Sequence, residues 1–238
     1  MLRNPIIFYQ DIGLTDYQTA FQWQISLFEQ LKQQKIENKH LKNPLPTHNY
    51  FLFTEHPHVY TLGKSGKEAH LLIDREERAQ KSVQFIKTNR GGDITYHGPG
   101  QIVGYPIIDL DNFGLDILRY MRLLEEVIIN VLAANNIKAG RSEGETGVWL
   151  DAGKSDARKI CAMGVKTSRW VTMHGFALNV YTDLSYFNYI IPCGIADKGV
   201  TSMQKELGFT PDISSLKQQI LKEFARLFKA EFVYKKMV

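Results

Sequence analysis

Short segments with β-strand character dominate the middle of the chain, and stretches of helical periodicity lie between them and near both ends. Apolar or alternating patterns typical of strands occupy Pro5–Gln10, Tyr50–Phe53, Val59–Leu62, Val83–Lys87, Ile102–Ile108, Val148–Leu150, Lys159–Lys166 and Trp170–Val180. Strands and helices that are interspersed in this way predict an α+β or mixed α/β fold.

Three helices are predicted from apolar residues at helical spacing. The first opens at Thr15, where Gln18 three residues later completes a capping box. The second lies within Leu115–Ala134, and the third starts near Thr210-Pro211, because proline is favoured at the first helical position. The polar segment Ile36–His48, which contains two prolines, is predicted to be a surface loop.

Composition restricts the class of protein. The 238 residues are 44% hydrophobic and 23% charged, which is ordinary for a globular chain and predicts one domain spanning residues 1–238. The net charge of +4 comes without a long lysine or arginine run, so we expect no nucleic-acid partner. No stretch approaches about 18 uninterrupted apolar residues, so we expect no membrane span. Two cysteines and an N-terminus without a signal-peptide core predict a cytoplasmic enzyme or binding domain.

The least ordinary stretch runs from Arg90 to Gln101. It places a guanidinium, a carboxylate, a hydroxyl, a phenol and an imidazole among four glycines. Glycines let the backbone approach a ligand closely and expose its N–H groups. The spacing matches neither the Walker A loop nor the dinucleotide-binding G-x-G-x-x-G motif. On composition alone, a binding loop and a plain glycine-rich turn between two strands fit this segment equally well.

Histidines do not by themselves indicate a metal site in this chain. His97 and His174 have no carboxylate or cysteine at ligand spacing beside them, and His56 and His58 flank a proline as turn residues do. We therefore expect hydrogen-bonded histidines and no metal.

Two cysteines are candidate nucleophiles, because a thiolate forms where a cation or a base lowers the thiol pKa. Cys193 lies in the irregular sequence Ile191-Pro192-Cys193-Gly194, whereas Cys161 lies in an apparent strand two residues after Lys159. Residues two apart in a strand point to the same face, so Lys159 and Cys161 are expected to be neighbours. Spacing alone leaves open both a Lys159–Cys161 and a Lys159–Cys193 pair, and an inert buried thiol is the commoner fate of a free cysteine.

Four ordered motifs between Tyr50 and Met203 resemble those of the lipoyl(octanoyl) transferase family. They are Glu55-His56-Pro57 with Tyr60-Thr61-Leu62-Gly63, Arg90–Gln101 continuing to Tyr105-Pro106, Lys159-Ile160 with Gly164 and His174-Gly175-Phe176-Ala177-Leu178-Asn179, and Pro192-Cys193-Gly194 with Thr201-Ser202-Met203. The second motif is highly specific. The resemblance implies an α+β fold with a mixed β-sheet, a smaller second sheet and flanking helices, similar to lipoate and biotin protein ligases.

The resemblance also implies site residues. Cys193 carries the acyl group, and Lys159 is its catalytic partner. The implied substrate-binding residues are Arg90, Gly91, Gly92, Asp93, Ile94, Thr95, Tyr96, His97, Ala162, Met163, Gly164, Gly175, Phe176 and Ala177. An eight-carbon chain needs an apolar wall, for which Ile160, Met163, Phe176 and Leu178 are candidates. The family has a small residue where Cys161 stands, so this cysteine departs from its pattern.

The implied reaction is acyl transfer in two steps, with no cofactor. The Cys193 thiolate attacks octanoyl-acyl carrier protein, and the lysine of a lipoyl domain then attacks the Cys193 thioester. The implied acceptors are the lipoyl domains of 2-oxoacid dehydrogenase complexes and the glycine cleavage H protein. Lys159 stabilises the thiolate as an ammonium, or accepts a proton from the incoming lysine as a neutral amine. Backbone N–H groups near Gly92 or Gly164 are candidates for stabilising the oxyanion.

Three other functions compete with this interpretation. A lipoate–protein ligase activates a free acid with ATP and needs no nucleophilic cysteine, so the Pro192-Cys193-Gly194 motif argues against it. A non-catalytic module holds acylated carriers or lipoyl domains, and the presence of both Lys159 and Cys193 argues against such lost chemistry. A hydrolase, the weakest of the three, uses the same thiol but admits water to the acyl-enzyme.

Overall fold

The structure is a computed structural model that describes residues 4–191 and 199–238. Its helices are α1 (Tyr17–Asn38), α2 (Arg75–Gln80), α3 (Ile117–Ala134), α4 (Met203–Leu207) and α5 (Ile213–Phe228). Its strands are β1 (Ile6–Leu14), β2 (Asn49–Glu55), β3 (Val59–Leu62), β4 (Gln84–Lys87), β5 (Ile94–His97), β6 (Gln101–Ile107), β7 (Val148–Leu150), β8 (Arg158–Ser168), β9 (Val171–Asn179), β10 (Gly199–Val200) and β11 (Glu231–Tyr234). Short 3₁₀ turns occupy Glu68–His70, Leu110–Phe113 and Leu184–Tyr189.

The strands form two sheets. The large sheet has the order β10-β8-β9-β6-β2-β1-β11, and β7 adds to β8. Its central pairs are antiparallel, whereas β1 runs parallel to both β2 and β11, and β10 runs parallel to β8. The small sheet has the order β4-β3-β5. This mixed sheet with a smaller second sheet and flanking helices confirms the predicted fold class.

Helices cover both faces of the large sheet. The main core cluster lies where α3 and α5 pack on one face, and a second cluster lies where α1 packs on the other. A third cluster joins the small sheet to the 3₁₀ turn Leu184–Tyr189. Burial of each large apolar side chain contributes roughly 1.5–3 kcal/mol, so these three clusters hold the two sheets and the helices in place. None of the helices within the described residues is both long and apolar enough to cross a lipid bilayer.

The first helix begins differently from the prediction. Asp16 is its N-cap and accepts hydrogen bonds from the backbone N–H groups of Gln18 and Thr19. The Thr15 hydroxyl instead donates to the carbonyl of Ile12 over 2.7 Å, so the predicted Thr15 capping box is wrong. The helix also continues to Asn38, whose side chain bonds Leu45, so the loop begins three residues later than the predicted Ile36.

The structure shifts the predicted start of the last helix and contains two strands that were not predicted. Helix α5 begins at Ile213, because Asp212 caps it by accepting from the N–H groups of Ser214 and Ser215; Pro211 is therefore not its first residue. Ile94–His97, inside the glycine-rich segment, is a strand because it pairs with β3. Strand β11 carried no clear pattern, and it is formed by pairing with β1.

Candidate active site

A cavity of about 440 Å³ lies between the Arg90–His97 segment and strands β6, β8 and β9. This volume is in the range usual for small-ligand sites. All the predicted substrate-binding residues except Tyr96 line it, and so does Lys159. Ile160 and Leu178, the other two predicted wall residues, are fully buried in the main core cluster instead. Their role toward a substrate stays a prediction.

Backbone-to-backbone contacts hold the glycine-rich segment against the two sheets. Gly91 donates its N–H to the carbonyl of Val165 on β8 over 2.9 Å, and Ser65 donates to the carbonyl of Gly92 over 3.1 Å. A side chain at Gly164 would bring its Cβ within 2.8 Å of the Gly91 oxygen. Glycine at position 164 is therefore needed for the segment to lie this close to β8.

Arg90 and Asp93 both anchor the segment. The buried Arg90 guanidinium donates to the carbonyl of Thr61 over 2.6 Å and to the Gly91 carbonyl over 3.0 Å. One Asp93 oxygen accepts from its neighbour Ile94 N over 2.7 Å, and the other lies 2.5 Å from Nδ1 of His70. His70 was not singled out by the sequence, because its partner lies 23 residues away along the chain.

Tyr96 lies outside the cavity. Its hydroxyl lies 2.6 Å from Nδ1 of His58, and its ring stacks on Tyr186 with a centroid distance of 5.0 Å. Tyr96 belongs to the third core cluster, since alternate residues of β5 point to opposite faces. The prediction that Tyr96 lines the same site as its neighbours is therefore wrong, because its side chain points away from the cavity.

His97 begins a chain of buried hydrogen bonds that ends beside Lys159. Its Nδ1 donates to Oε1 of Gln101 over 2.8 Å, and the Gln101 amide donates to Oδ1 of Asn179 over 2.9 Å. The Asn179 amide donates to the carbonyl of Thr201 over 3.0 Å, and Thr201 donates its N–H to the carbonyl of Lys159 over 3.0 Å. Burial lowers the pKa of His97 well below its usual range, so the imidazole is neutral and holds structure by hydrogen bonding.

His174 has an unusual backbone for a residue inside a strand. Its φ is +61°, and its N–H donates to Oε1 of Gln24 over 3.0 Å. Its Nε2 lies 2.8 Å from Oδ1 of Asn89, and its ring stacks on Phe21. Burial, with a smaller contribution from Arg90 and Lys166, lowers the pKa of His174 to about 3. A neutral histidine with such a low pKa is a poor general base at neutral pH.

Metal binding finds no support among the described residues. No group of three or more His, Cys, Asp or Glu side chains in residues 4–191 and 199–238 is arranged to hold a metal ion. His56 has hydrogen-bond partners at both ring nitrogens, Thr15 O at 2.7 Å and Tyr105 Oη at 2.6 Å. Burial lowers the pKa of His56 to about 4, so it is a neutral, hydrogen-bonded core residue.

Lys159 lines the cavity, and Cys161 does not. The register of β7 on β8 shifts between Val148, which pairs with Cys161, and Trp149, which pairs with Lys159. This bulge turns Cys161 into the main core cluster, while the Lys159 ammonium lies 4.5 Å from the Trp149 ring centroid. The prediction that the two residues share a face is therefore wrong. Burial raises the pKa of the fully buried Cys161 thiol, which favours the inert form.

Residues after the Pro192-Cys193-Gly194 motif return to the cavity wall. Gly199 and Val200 pair in parallel with Arg158 and Lys159, and both line the cavity. Arg158 is held by two hydrogen bonds of 2.7 Å to the carboxylate of Glu206. Cys193 itself lies outside the described residues, as do its neighbours 192 and 194–198.

Several residues of the site had no strong sequence signal. Trp149 and Tyr17 line the cavity, but each lies in an ordinary apolar strand or helix pattern. Tyr17 stacks on His97 with a centroid distance of 5.8 Å. Only the pairing of distant segments brings these rings to the glycine-rich segment.

Known proteins resemble the chain over nearly its whole length. The model of the lipoyl protein ligase A/B catalytic domain matches residues 16–225. The octanoyltransferase of Flavobacterium johnsoniae is 57% identical over 231 residues, which cover 97% of this chain and 100% of that protein. The octanoyltransferase of Christiangramia forsetii is 55% identical over 232 residues, which cover 97% and 99%.

A solved structure shares the fold. The bi-partite lipoate protein ligase of Thermoplasma acidophilum superposes with a TM-score of 0.67 at 15% identity, over 99% of this chain and 87% of that chain. At this level of identity the likeness concerns the fold, because related folds carry different activities.

Proposed function

The chain belongs to the octanoyltransferase family, and we propose that it transfers an octanoyl group from octanoyl-acyl carrier protein to the acceptor lysine of lipoyl domains through a thioester on Cys193. It is an octanoyltransferase and therefore an acyltransferase. The catalytic unit is proposed to be the whole chain 1–238, in keeping with the family match over residues 16–225. The cytoplasmic location stays a prediction from the sequence.

One observation carries the proposed chemistry: Lys159 and the residues Gly199 and Val200 lie side by side on the cavity wall. Cys193 precedes Gly199 by six residues along the chain, a span that permits its thiol to meet the Lys159 ammonium. On the other side of the motif, Ile191 donates its N–H to the carbonyl of His70 over 2.8 Å. One flank of the motif thus lies on the cavity wall, and the other is tied to His70, which contacts the wall residue Asp93.

In the first step the Cys193 thiolate attacks the thioester carbonyl of the carrier's phosphopantetheine arm. A new C–S bond forms to Cys193, the old C–S bond breaks, and the carrier thiol leaves after taking up a proton. The Lys159 ammonium favours the Cys193 thiolate electrostatically, as a cation does for any nearby thiol. Exchange of one thioester for another is close to isoenergetic, so this step needs no cofactor.

In the second step the amine of the acceptor lysine attacks the octanoyl-Cys193 carbonyl. The amide C–N bond forms, the C–S bond breaks, and the proton lost by the amine passes to Cys193 or to Lys159 in its neutral form. Met163 and Phe176 supply apolar wall for the eight-carbon chain in both steps. Backbone N–H groups near Gly92 or Gly164 remain the proposed oxyanion donors, since the N–H of Gly91 is already bonded to Val165.

The proposed partners follow from the activity. Octanoyl-acyl carrier protein is the donor, and lipoyl domains of 2-oxoacid dehydrogenase complexes and the glycine cleavage H protein are the acceptors. The chain's net charge of +4 suits acidic protein partners, because opposite charges speed encounter. A ligase remains the main alternative on fold alone, and the relatives above 50% identity favour the transferase.

Intact-mass measurement after incubation with octanoyl-acyl carrier protein tests this function. We expect an octanoyl adduct on the wild-type chain and on Cys161→Ala, and none on Cys193→Ala. Addition of a lipoyl domain should discharge the adduct to octanoyl-lysine without ATP. An adduct that survives in Cys193→Ala and disappears in Cys161→Ala would overturn the assignment. Free octanoate as the main product would indicate a hydrolase, and a strict need for ATP would indicate a ligase.

A further inference from the structure

Phe176 is the point at which the cavity meets the main core. It is 2% exposed and belongs to the main core cluster. Among the described residues, it alone is both a buried member of that cluster and part of the cavity wall. An apolar chain that enters the cavity therefore reaches the packed interior at the Phe176 ring.

Gly104 determines where this ring lies. Gly104 on β6 and Phe176 on β9 are direct partners across the antiparallel pair. A Cβ at position 104 would lie 2.3 Å from Cζ and 2.5 Å from Cε1 of Phe176. The ring thus occupies the space that a side chain at position 104 would fill.

Buried neighbours limit where the ring can move. Phe51 packs beside it with a centroid distance of 6.3 Å, and Phe51 and Ile102 are fully buried in the same cluster. Close-packed interiors do not accept an extra ring without strain. A side chain at position 104 would therefore push Phe176 toward the cavity and shorten the space left for an acyl chain.

We propose that the contact between Gly104 and Phe176 sets the length of acyl chain that the enzyme accepts. This inference rests on the proposed octanoyl transfer and specifies its substrate range. The glycine lets the ring fold back and leaves room for the distal carbons, and the ring closes the space to longer chains. Each buried methylene is worth about 0.8 kcal/mol, which is about fourfold in a rate ratio, so a shift of two carbons changes preference by roughly tenfold or more.

Two opposite substitutions test the proposal. Rates of acyl-enzyme formation are measured with carrier protein charged with hexanoyl, octanoyl, decanoyl and dodecanoyl groups. Gly104→Ala should lower the octanoyl-to-hexanoyl ratio by roughly tenfold, because the ring is displaced into the cavity. Phe176→Leu should raise the dodecanoyl-to-octanoyl ratio by a similar factor, because the ring no longer closes the space. The double variant should return toward the wild-type profile, since leucine leaves room for the alanine methyl group.

Matched controls separate this effect from a general loss of packing. Phe224→Leu removes the same atoms from the same core cluster at a fully buried residue that does not line the cavity. Gly140→Ala adds a methyl group at a glycine with no atom within 4 Å of the added Cβ. Both controls should keep the wild-type ratios. The readout is a ratio within each variant, so a lower folded fraction alone does not change it.

The outcomes for the inference and for the proposed function are distinct. If the wild-type chain forms no octanoyl adduct on Cys193, the proposed function fails before chain length is compared. If it forms the adduct and both folded variants keep the wild-type ratios, the chain-length inference alone is overturned. Should Gly104→Ala fail to fold, the ratio for Phe176→Leu decides.

Discussion

The Lys159 ammonium lies over the indole ring of Trp149, 4.5 Å from its centroid. The two residues are partners across the β7–β8 pair, and both line the cavity. A cation over an aromatic face gains about 0.5–2 kcal/mol, more when water is excluded. The ring therefore holds the charge on the cavity wall, where the proposed chemistry needs it.

Replacing Trp149 should slow acylation. Trp149→Leu is expected to reduce the rate of acyl-enzyme formation by about tenfold, in line with the loss of about 0.5–2 kcal/mol of cation–π attraction. Trp149→Phe keeps an aromatic face and should keep most of the rate. Quenched-flow mass spectrometry of the octanoyl adduct measures both. Equal losses in the two variants would show that the indole acts by packing alone.

Replacing Lys159 should change the pH dependence of thiol reactivity. Without the ammonium, the apparent pKa for alkylation of Cys193 by iodoacetamide should rise by about 1–3 pH units in Lys159→Met. Lys159→Arg keeps the positive charge and should stay near the wild-type midpoint. The alkylation rate is followed from pH 6 to about pH 10 by peptide mass. An unchanged midpoint in Lys159→Met would show that the Lys159 charge does not stabilise the Cys193 thiolate.

Cys161 should be unreactive in the folded protein. Its thiol is fully buried in the main core cluster, and burial raises its pKa. We expect iodoacetamide to modify Cys193 alone under native conditions and both cysteines in denaturant. Cys161→Ser should lower the free energy of unfolding by about 1–3 kcal/mol, because it buries a hydroxyl. Cys161→Ala is the matched control, and rapid native alkylation of Cys161 would contradict the burial argument.

Stability should fall as the pH drops below 6.5. Burial lowers the pKa of His56 to about 4 and of His174 to about 3, and holds that of His97 well below 6.5. Between pH 6.5 and about 4 the unfolded chain binds protons that the folded chain does not. Each histidine therefore lowers the free energy of unfolding by up to about 1.4 kcal/mol for each pH unit of acidification. Above pH 6.5 all three are neutral in both states, and the effect vanishes.

Urea unfolding at pH 7.5, 6 and 5 checks this, with His174→Gln as the comparison. That variant removes one of the three histidines. The slope of the unfolding free energy against pH should therefore decrease by about a third. A wild-type slope that His174→Gln does not alter would mean that His174 is protonated in the folded state.

Asn179 should hold the backbone of Lys159 in place through Thr201. Asn179→Ala leaves the carbonyl of Thr201 without its 3.0 Å hydrogen bond and should cost about 1–3 kcal/mol of stability. The same change should slow acylation while the alkylation midpoint of Cys193 stays fixed, because the Lys159 charge is still present. Asn130→Ala, which removes a half-buried amide on α3 that donates to Glu223 over 3.4 Å, is the control and should change neither the acylation rate nor the alkylation midpoint. A shifted midpoint in Asn179→Ala would show that the ammonium has moved.

Strong periodic patterns made much of the fold predictable. The residues that bury α3 and α5 recur at helical spacing, and β2, β3, β6 and β9 contain the predicted apolar runs. The sequence does not decide which of two adjacent residues caps a helix. Thr15 and Asp16 are both good N-caps, and Asp16 caps because Thr15 donates its N–H to Glu55 on β2. Such a contact depends on a strand that is 40 residues away.

The site was predictable where its residues share a local motif. Arg90 to Asp93 and Gly164, which belong to quoted motifs, line one cavity, and their binding of a substrate stays a prediction. The face of Cys161 was not predictable, because a bulge opposite Val148 and Trp149 becomes visible only when β7 is paired with β8. The same limit holds for His70, since its contact with Asp93 is a tertiary one.

The outermost pair of the large sheet has a consequence for synthesis of the protein. Strand β11 joins β1 through partners such as Ile6 and Glu231, which are 225 residues apart. On the ribosome the outer edge of β1 therefore stays without its neighbour until Glu231–Tyr234 has emerged, long after β1 itself. Contacts of such long range slow folding, and open strand edges invite aggregation. Yield of this enzyme in a cell should therefore respond to chaperone supply and to temperature during translation more than its equilibrium stability indicates.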